Sequence, residues 1–132
     1  MGQKVNPIGL RLALNKNWSS RWFAKKASFG EWLHEDLKIR SFIKSKFNHA
    51  AISKILIERY GNRVRVTVFA ARPGMLIGHR GAELQTLKDA VAKLLKNREL
   101  ILDVVEVKQP ETNAQLVAES VAQQLERRIG FR

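Results

Sequence analysis

The chain is best understood from residues 71–82, which read Ala71-Arg72-Pro73-Gly74-Met75-Leu76-Ile77-Gly78-His79-Arg80-Gly81-Ala82. Residues 64–70 just before this segment alternate valine with other side chains, a pattern that predicts a strand. After it, leucine and valine recur at helical spacing over residues 82–96 and predict an amphipathic helix. Pro73 presets φ for a short helical turn of its own. The segment therefore joins a strand to a helix through a turn that contains two glycines.

These two glycines, Gly78 and Gly81, bracket His79 and Arg80. A glycine inside a helix costs about 1 kcal/mol relative to alanine, so neither residue stabilises the helices. Without a Cβ atom, both can take positive φ and admit a sugar-phosphate backbone at close range. Amides at the start of the next helix carry partial positive charge, which the two basic residues reinforce. The predicted nucleic-acid contacts here are Arg72, Gly74, Gly78, His79, Arg80 and Gly81.

This segment resembles the KH module, in which a strand and a short helix are followed by Gly-x-x-Gly and a second helix. The loop of that module clamps roughly four nucleotides of single-stranded RNA or DNA. Taken alone, the tetrapeptide has a second interpretation as a tight interhelical turn with solvated basic residues. A P-loop is excluded, because it would need Gly, Lys and Ser or Thr at positions 79 to 81. A nucleotide-hydrolysing site therefore has little support.

Composition points to a polyanionic partner. The 132 residues suit one domain, and 24 Lys and Arg against 12 Asp and Glu give a net charge of +12. Cysteine is absent, which excludes disulfides, thiolate zinc sites and thiol nucleophiles. No apolar run approaches the roughly 20 residues needed to cross a bilayer. We therefore expect a nucleic-acid partner and no membrane partner.

Residues 1–28 are expected to form a basic N-terminal arm, because no acid precedes Glu31. Proline, glycine and asparagine interrupt any regular period, so the arm is expected to be extended and poorly ordered until it meets a partner. Myristoylation is excluded because Asn6 stands where Ser or Thr is required. An organellar transit peptide stays open as an alternative. The predicted phosphate contacts of the arm are Lys4, Arg11, Lys16, Arg21, Lys25 and Lys26.

Three aromatic residues lie among these cations, at Trp18, Trp22 and Phe23. Aromatic side chains between basic residues can stack on unpaired bases, at about 1 to 3 kcal/mol per base. They can equally dock the arm onto its own domain. We favour docking.

Several segments resemble bacterial-type small-subunit ribosomal protein three, the S-three family. They occur in the family's order from end to end: residues 1–12 and 18–24, Ile57-Glu58-Arg59, Ala71-Arg72-Pro73-Gly74 with Ile77-Gly78, and Gln124-Leu125-Glu126-Arg127-Arg128. The resemblance implies a non-enzymatic protein of the ribosome, cytoplasmic or organellar, in the head of the small subunit near the messenger RNA path. It also implies four partners: small-subunit ribosomal RNA, messenger RNA, and ribosomal proteins ten and fourteen.

The residues on either side of the central segment predict one helix, a pair of strands before the segment and a third strand after it. Ser28 and Glu31 form a capping-box signature, so a helix should begin near Phe29. Strands are expected at residues 52–60, 64–71 and 101–107, with Gly61-Asn62 as a two-residue hairpin loop. Crossover through a helix permits a parallel third strand.

A last helix is expected after Thr112 or Asn113 as its cap. Its predicted apolar stripe is Ala114, Val117, Ala118, Val121, Leu125 and Ile129. The order α-β-β-α-α-β-α is that of a type II KH domain with a following helix. We therefore expect an α+β domain over residues 29–132, with a three-stranded mixed sheet and helices on one face.

Arg127, Arg128 and Arg132 begin a basic helical face and complete the set of expected RNA contacts. In the S-three family the chain continues with more basic residues and then a second α+β domain. We therefore expect this sequence to be either a cut piece or a short version. The duplex-unwinding activity associated with that continuation is not carried over to it.

Two other classes of function fit the sequence less well. A basic α+β chain could be a DNA-binding or architectural protein, but Glu83 and Asp89 near the start of the predicted helix would repel a groove wall. An enzyme is disfavoured, because Asp103 and Glu106 lack an evident base or nucleophile partner. His34 and His49 are expected at the surface, with no metal site. No cofactor is expected.

Overall fold

A computed structural model describes residues 2–95 and 98–130 of the chain. Its elements follow the expected order α-β-β-α-α-β-α, preceded by a short helix and a short strand in the arm. The helices are α1 (Pro7–Arg11), α2 (Lys26–Lys46), α3 (Pro73–Ile77), α4 (Ala82–Leu94) and α5 (Ala114–Glu126). The strands are β1 (Ser20–Arg21), β2 (Ile52–Tyr60), β3 (Arg63–Ala70) and β4 (Glu99–Glu106).

The sheet is mixed, with the strand order β1-β2-β3-β4. β2 and β3 pair antiparallel across the predicted two-residue loop, where Gly61 has φ +57°. β4 lies parallel to β3, with Val66 opposite Leu102, and α3 and α4 form the crossover between them. The expected hairpin and the expected parallel third strand are both confirmed.

One face of the sheet carries the core. Alternate residues of β2 and β3 turn inward and pack against α2, α3 and α4 in a single cluster of buried apolar side chains. Ile39 and Ile43 of α2, Leu76 of α3 and Leu87 of α4 are all fully buried in it. The cluster fixes both helices that flank the Gly-x-x-Gly segment, because each contributes side chains to it.

The expectation of three strands is wrong, since the arm supplies a fourth. Ser20 and Arg21 lie opposite Ile57 and Glu58 in a parallel pairing at the edge of β2. The arm also forms a helix, α1, capped by the side chain of Asn6. The arm is therefore not uniformly extended, because its own caps and an open sheet edge provide backbone partners.

The predicted start of α2 is also wrong. The helix begins at Lys26, and the carbonyl of Lys25 accepts from the amides of Ser28 and Phe29. Ser28 therefore lies inside the first turn, where its hydroxyl donates to the same carbonyl instead of capping the helix.

In α5 the expected cap is confirmed and the expected stripe is not. Asn113 accepts from the amides of Gln115 and Leu116. Leu116 is the buried residue, whereas Val121 and Leu125 are 50% and 56% exposed. Other stripe residues, Val117 and Ile129, are exposed as well. Helical periodicity identifies an apolar side, but not whether anything covers it.

None of the helices in the described part of the chain is long and apolar enough to cross a bilayer.

Candidate nucleic-acid interface

The Gly-x-x-Gly segment is an exposed turn between two helices. α3 ends at Ile77, and Gly78 leaves the helical conformation with φ +68° and ψ −172°. Residues 79–81 form one 3-10 turn in which Arg80 has φ +53° and Gly81 has φ +81°. The turn is therefore a separate element and not part of one continuous helix. Its expected positive φ angles are confirmed at both glycines.

Glycine is required at position 78 for a second reason. A Cβ atom placed on Gly78 would lie 2.6 Å from Cβ of Glu83 and 3.2 Å from its backbone nitrogen. A Cβ atom on Gly81 would meet nothing within 4 Å. The first glycine therefore lets the start of α4 fold back over the turn, whereas the second serves the backbone conformation alone.

The start of α4 is open to a ligand. Its N-cap is Gly81, which has no side chain to accept from the first amides. Such amides carry partial positive charge and bind anions well. His79 and Arg80 are exposed on the same turn, and Arg72 and Gly74 are exposed at the start of α3. The turn therefore combines backbone donors with exposed basic side chains, whose charge Glu83 in the first turn of α4 partly opposes.

Both sides of the turn are anchored in the core. Leu76 lies two residues before Gly78, and Leu87 and Val91 lie on α4 behind it, all fully buried. The amide of Gly78 donates to the carbonyl of Gly74 at 2.9 Å. The turn is exposed but its ends are fixed, an arrangement suited to binding a chain without large rearrangement.

The arm is fastened to the domain by Asp36 of α2, which is 1% exposed. Its Oδ2 atom accepts from Nε1 of Trp22 at 2.8 Å and from the hydroxyl of Ser20 at 3.0 Å. Its Oδ1 atom accepts from Nη2 of Arg59 at 2.6 Å. The predicted docking of the arm is thus confirmed for Trp22, but Trp18 and Phe23 are 66% and 88% exposed.

Two arginines complete this attachment. Arg59 reaches Glu35 as well, at 2.9 Å, and its guanidinium lies 5.3 Å from the ring centroid of Trp32. Arg40 donates to the carbonyls of Ile55 and Ser19, so it joins the sheet to the arm. Burial lowers the pKa of Arg40, and the carboxylate of Asp36 opposes that shift.

The cations of the arm do not gather at the turn. Lys4, Arg11 and Lys16 are exposed before β1, and Lys25 and Lys26 are exposed at the start of α2. The arm meets the sheet through Ser20 and Arg21 at the β2 edge, whereas the turn lies in the crossover between β3 and β4. We therefore describe two separate basic regions.

Arg21 differs from the other arm cations because it has an acidic partner. Its Nη1 atom lies 3.4 Å from Oε1 of Glu58, which neutralises part of its charge.

The other predicted contacts lie at the end of α5. Arg127 is the C-cap residue and Arg128 has φ +54°, and both are exposed. Arg72, the residue before α3, lines one groove with Gln124 and another with Gln123. The start of α3 therefore lies near the C-terminal end of α5. Arg132 lies outside the described residues. His34 and His49 are exposed, as expected, and no cluster of metal ligands occurs among the residues that the structure describes.

Comparison with known proteins identifies the domain. The sequence model of the KH domain family matches residues 38–112, more than half of the chain. Curated relatives from Desulfatibacillum aliphaticivorans and Syntrophus aciditrophicus, each named small ribosomal subunit protein uS3, are 58% and 55% identical over 132 residues. A third, from Myxococcus xanthus, is 54% identical. This chain belongs to the KH domain family, and over its whole length it is similar to small ribosomal subunit proteins uS3.

The match covers the whole of this chain but only part of each relative. It spans 60% of the uS3 protein of D. aliphaticivorans, 60% of that of S. aciditrophicus and 59% of that of M. xanthus. The mixed α+β architecture with its Gly-x-x-Gly turn agrees with a type II KH domain, as expected from the sequence.

Sequence reasoning missed the attachment of the arm. Asp36, Arg40 and Arg59 were not singled out for it, although Arg59 belongs to one of the segments that carry the family resemblance. The available signal was the acid pair Glu35 and Asp36 in α2, both of which are buried together with Ile39 and Ile43. A buried acid needs a cation, so its presence pointed to a partner elsewhere in the chain.

Proposed function

We propose that this chain is a non-enzymatic RNA-binding component of the small ribosomal subunit. Residues 78–81 hold the backbone of single-stranded ribosomal RNA, and the arm of residues 1–28 lies along neighbouring phosphates. Residues 29–132 form the KH domain. The contacts assigned to RNA are Arg72, Gly74, Gly78, His79, Arg80 and Gly81 in the turn, and Lys4, Arg11, Lys16, Arg21, Lys25, Lys26, Arg127, Arg128 and Arg132 elsewhere.

One observation supports this function most directly. The first turn of α4 has a glycine cap, and two exposed basic residues stand beside it, of which Arg80 has positive φ. A helix start without a side-chain cap, next to basic side chains, suits a phosphodiester, since the amides donate and the positive charge is local. A neutral interhelical turn would need neither feature.

The family relationship supports the setting. We propose that the chain acts in the ribosome of the cytoplasm, in the head of the small subunit, near the messenger RNA path. Ribosomal proteins ten and fourteen are the proposed protein neighbours, and messenger RNA is a proposed second nucleic-acid partner. The chain contributes binding and positioning, with no catalytic step.

The proposal is tested by comparing single-stranded RNA with duplex DNA of equal length across a salt series. We expect tighter binding to the single strand, with a log-log slope of about −0.7 for each phosphate contact. Replacing two arm cations, Arg11→Gln and Lys16→Gln, should make the slope shallower by about 0.7 for each phosphate that is no longer neutralised. Preference for duplex DNA of particular sequence would contradict the proposal and favour a DNA-binding protein.

A further inference from the structure

The arm and α2 enclose a second groove, remote in sequence from the Gly-x-x-Gly turn. Its volume is about 570 Å³ and its lining residues are Trp18, Ser20, Arg21, Trp22, Phe29 and Leu33. Three of the apolar side chains stay open to solvent: Trp18 is 66% exposed, Phe29 49% and Leu33 40%. An aromatic groove so exposed needs an explanation beyond packing of the domain.

The floor of the groove is rigid. The indole of Trp22 is held by its hydrogen bond to Asp36, and its ring centroid lies 5.4 Å from that of Phe29 and 5.6 Å from that of Trp32. Such tilted aromatic packing is favourable and restricts rotation of the ring. The groove is therefore a formed surface and not a gap between mobile side chains.

Trp18 is positioned by its neighbour in the chain. The carbonyl of Ser19 accepts from the amide of Ile57 at 3.0 Å and from Nη2 of Arg40 at 2.7 Å. These bonds fix the backbone directly after Trp18, and the exposed indole lines the groove. A flat, exposed ring on a fixed backbone offers a stacking surface for a base.

The charges around the groove indicate which kind of molecule it binds. Lys26, Phe29 and Leu33 follow one another at i, i+3 and i+7, so they share a face of α2. Glu31 is two residues from Phe29 and therefore points away from that face. Asp36, whose carboxylate accepts from Trp22 and Ser20 of the groove, is paired with Arg59. Arg21 lines the groove itself, although Glu58 pairs with it. The occupant should therefore be flat and apolar, and attached to an anion.

We infer that this groove binds an unpaired base of single-stranded RNA, with Trp18 as the stacking residue and Lys26 beside the attached phosphate. The inference rests on the proposed RNA-binding function and adds a second contact of a different kind to it. The Gly-x-x-Gly turn holds backbone, whereas the groove holds a base. An apolar segment of a protein is the competing occupant.

The test uses the whole chain and two probes of equal length, an oligouridylate and an abasic oligonucleotide with the same number of phosphates. Binding is followed by fluorescence anisotropy across a salt series. We expect Trp18→Ala to weaken binding of the oligouridylate by roughly tenfold and to leave binding of the abasic probe unchanged. The salt slope should be the same for both proteins, because the substitution removes no cation from the phosphates.

Two further variants make the result specific. Trp18→Phe keeps an aromatic ring and should restore most of the affinity. Tyr60→Ala removes an aromatic side chain that is 62% exposed on the sheet, and it should have no effect on either probe. Since Trp18 is itself mostly exposed, its replacement should leave the urea unfolding transition in place.

The outcomes separate this inference from the proposed function. If the unaltered chain binds neither probe, both fail. If it binds both probes through His79 and Arg80, but Trp18→Ala binds the oligouridylate as tightly as the unaltered chain, the base-binding groove alone is overturned and a protein occupant is favoured.

Discussion

The indole nitrogen of Trp22 donates a 2.8 Å hydrogen bond to Oδ2 of Asp36, and through this contact the basic arm is attached to the KH domain. The two residues are 14 positions apart in the sequence. Asp36 also accepts from Arg59, whose side chain is 1% exposed. One carboxylate therefore joins the arm, α2 and β2.

Removal of this carboxylate should destabilise the fold strongly. Asp36→Ala leaves the guanidinium of Arg59 buried with Glu35 as its remaining carboxylate partner, so we expect a loss of about 3 to 5 kcal/mol in the free energy of unfolding. The measurement is urea denaturation. Asp103→Ala is the control, because Asp103 and Arg65 are 49% and 48% exposed and their pair should be worth less than about 1 kcal/mol. Equal losses would show that Asp36 does not join these elements.

The two glycines of the turn should respond differently to a methyl group. Gly81→Ala places alanine at φ +81° in open space, and we expect a cost of about 1 to 2 kcal/mol. Gly78→Ala combines positive φ with collision against Glu83, so its cost should be clearly larger. Chemical denaturation of both variants measures the difference. If both substitutions cost the same, the close approach of α4 to Gly78 is absent.

The buried side of α5 can be tested by comparing two leucines. Leu116→Ala should cost about 2 kcal/mol or more, since Leu116 is 7% exposed. Leu125→Ala, at a position 56% exposed, should change the free energy of unfolding by no more than about 0.5 kcal/mol. A larger loss for Leu125→Ala than for Leu116→Ala would support the apolar stripe that the sequence predicts and contradict the packing of α5.

Local signals made the centre of the molecule predictable. Gly78 and Gly81 mark positive φ in the sequence itself, and the alternation of Val64, Val66 and Val68 marks one face of a strand. Asn113 shows where α5 begins. Each of these features depends on residues only a few positions apart, so the turn and its flanking elements could be inferred without a structure.

The attachment of the arm could not be inferred in this way. Asp36 and Arg59 are 23 positions apart, and neither belongs to a periodic pattern from which the other could be identified as its partner. β1 has only two residues, too few for an alternation to be recognised. Both features arise from long-range contacts, which override local preference.

The role of the turn is tested most directly by a variant that reverses its charge. His79→Asp and Arg80→Asp together replace the two basic side chains by carboxylates, a change of three charge units with histidine neutral. Aspartate tolerates the left-handed conformation of residue 80, so the fold should persist. The matched control is Lys93→Glu with Lys108→Gln, which makes the same change of three charge units at two exposed lysines outside the proposed contacts.

The deciding measurement is the affinity of both double variants and the unaltered chain for one single-stranded RNA across a salt series. We predict that the turn variant binds at least about tenfold more weakly and with a shallower salt slope, while the control variant stays close to the unaltered chain. Equal affinity of the turn variant and the control would contradict the claim that residues 78–81 hold RNA.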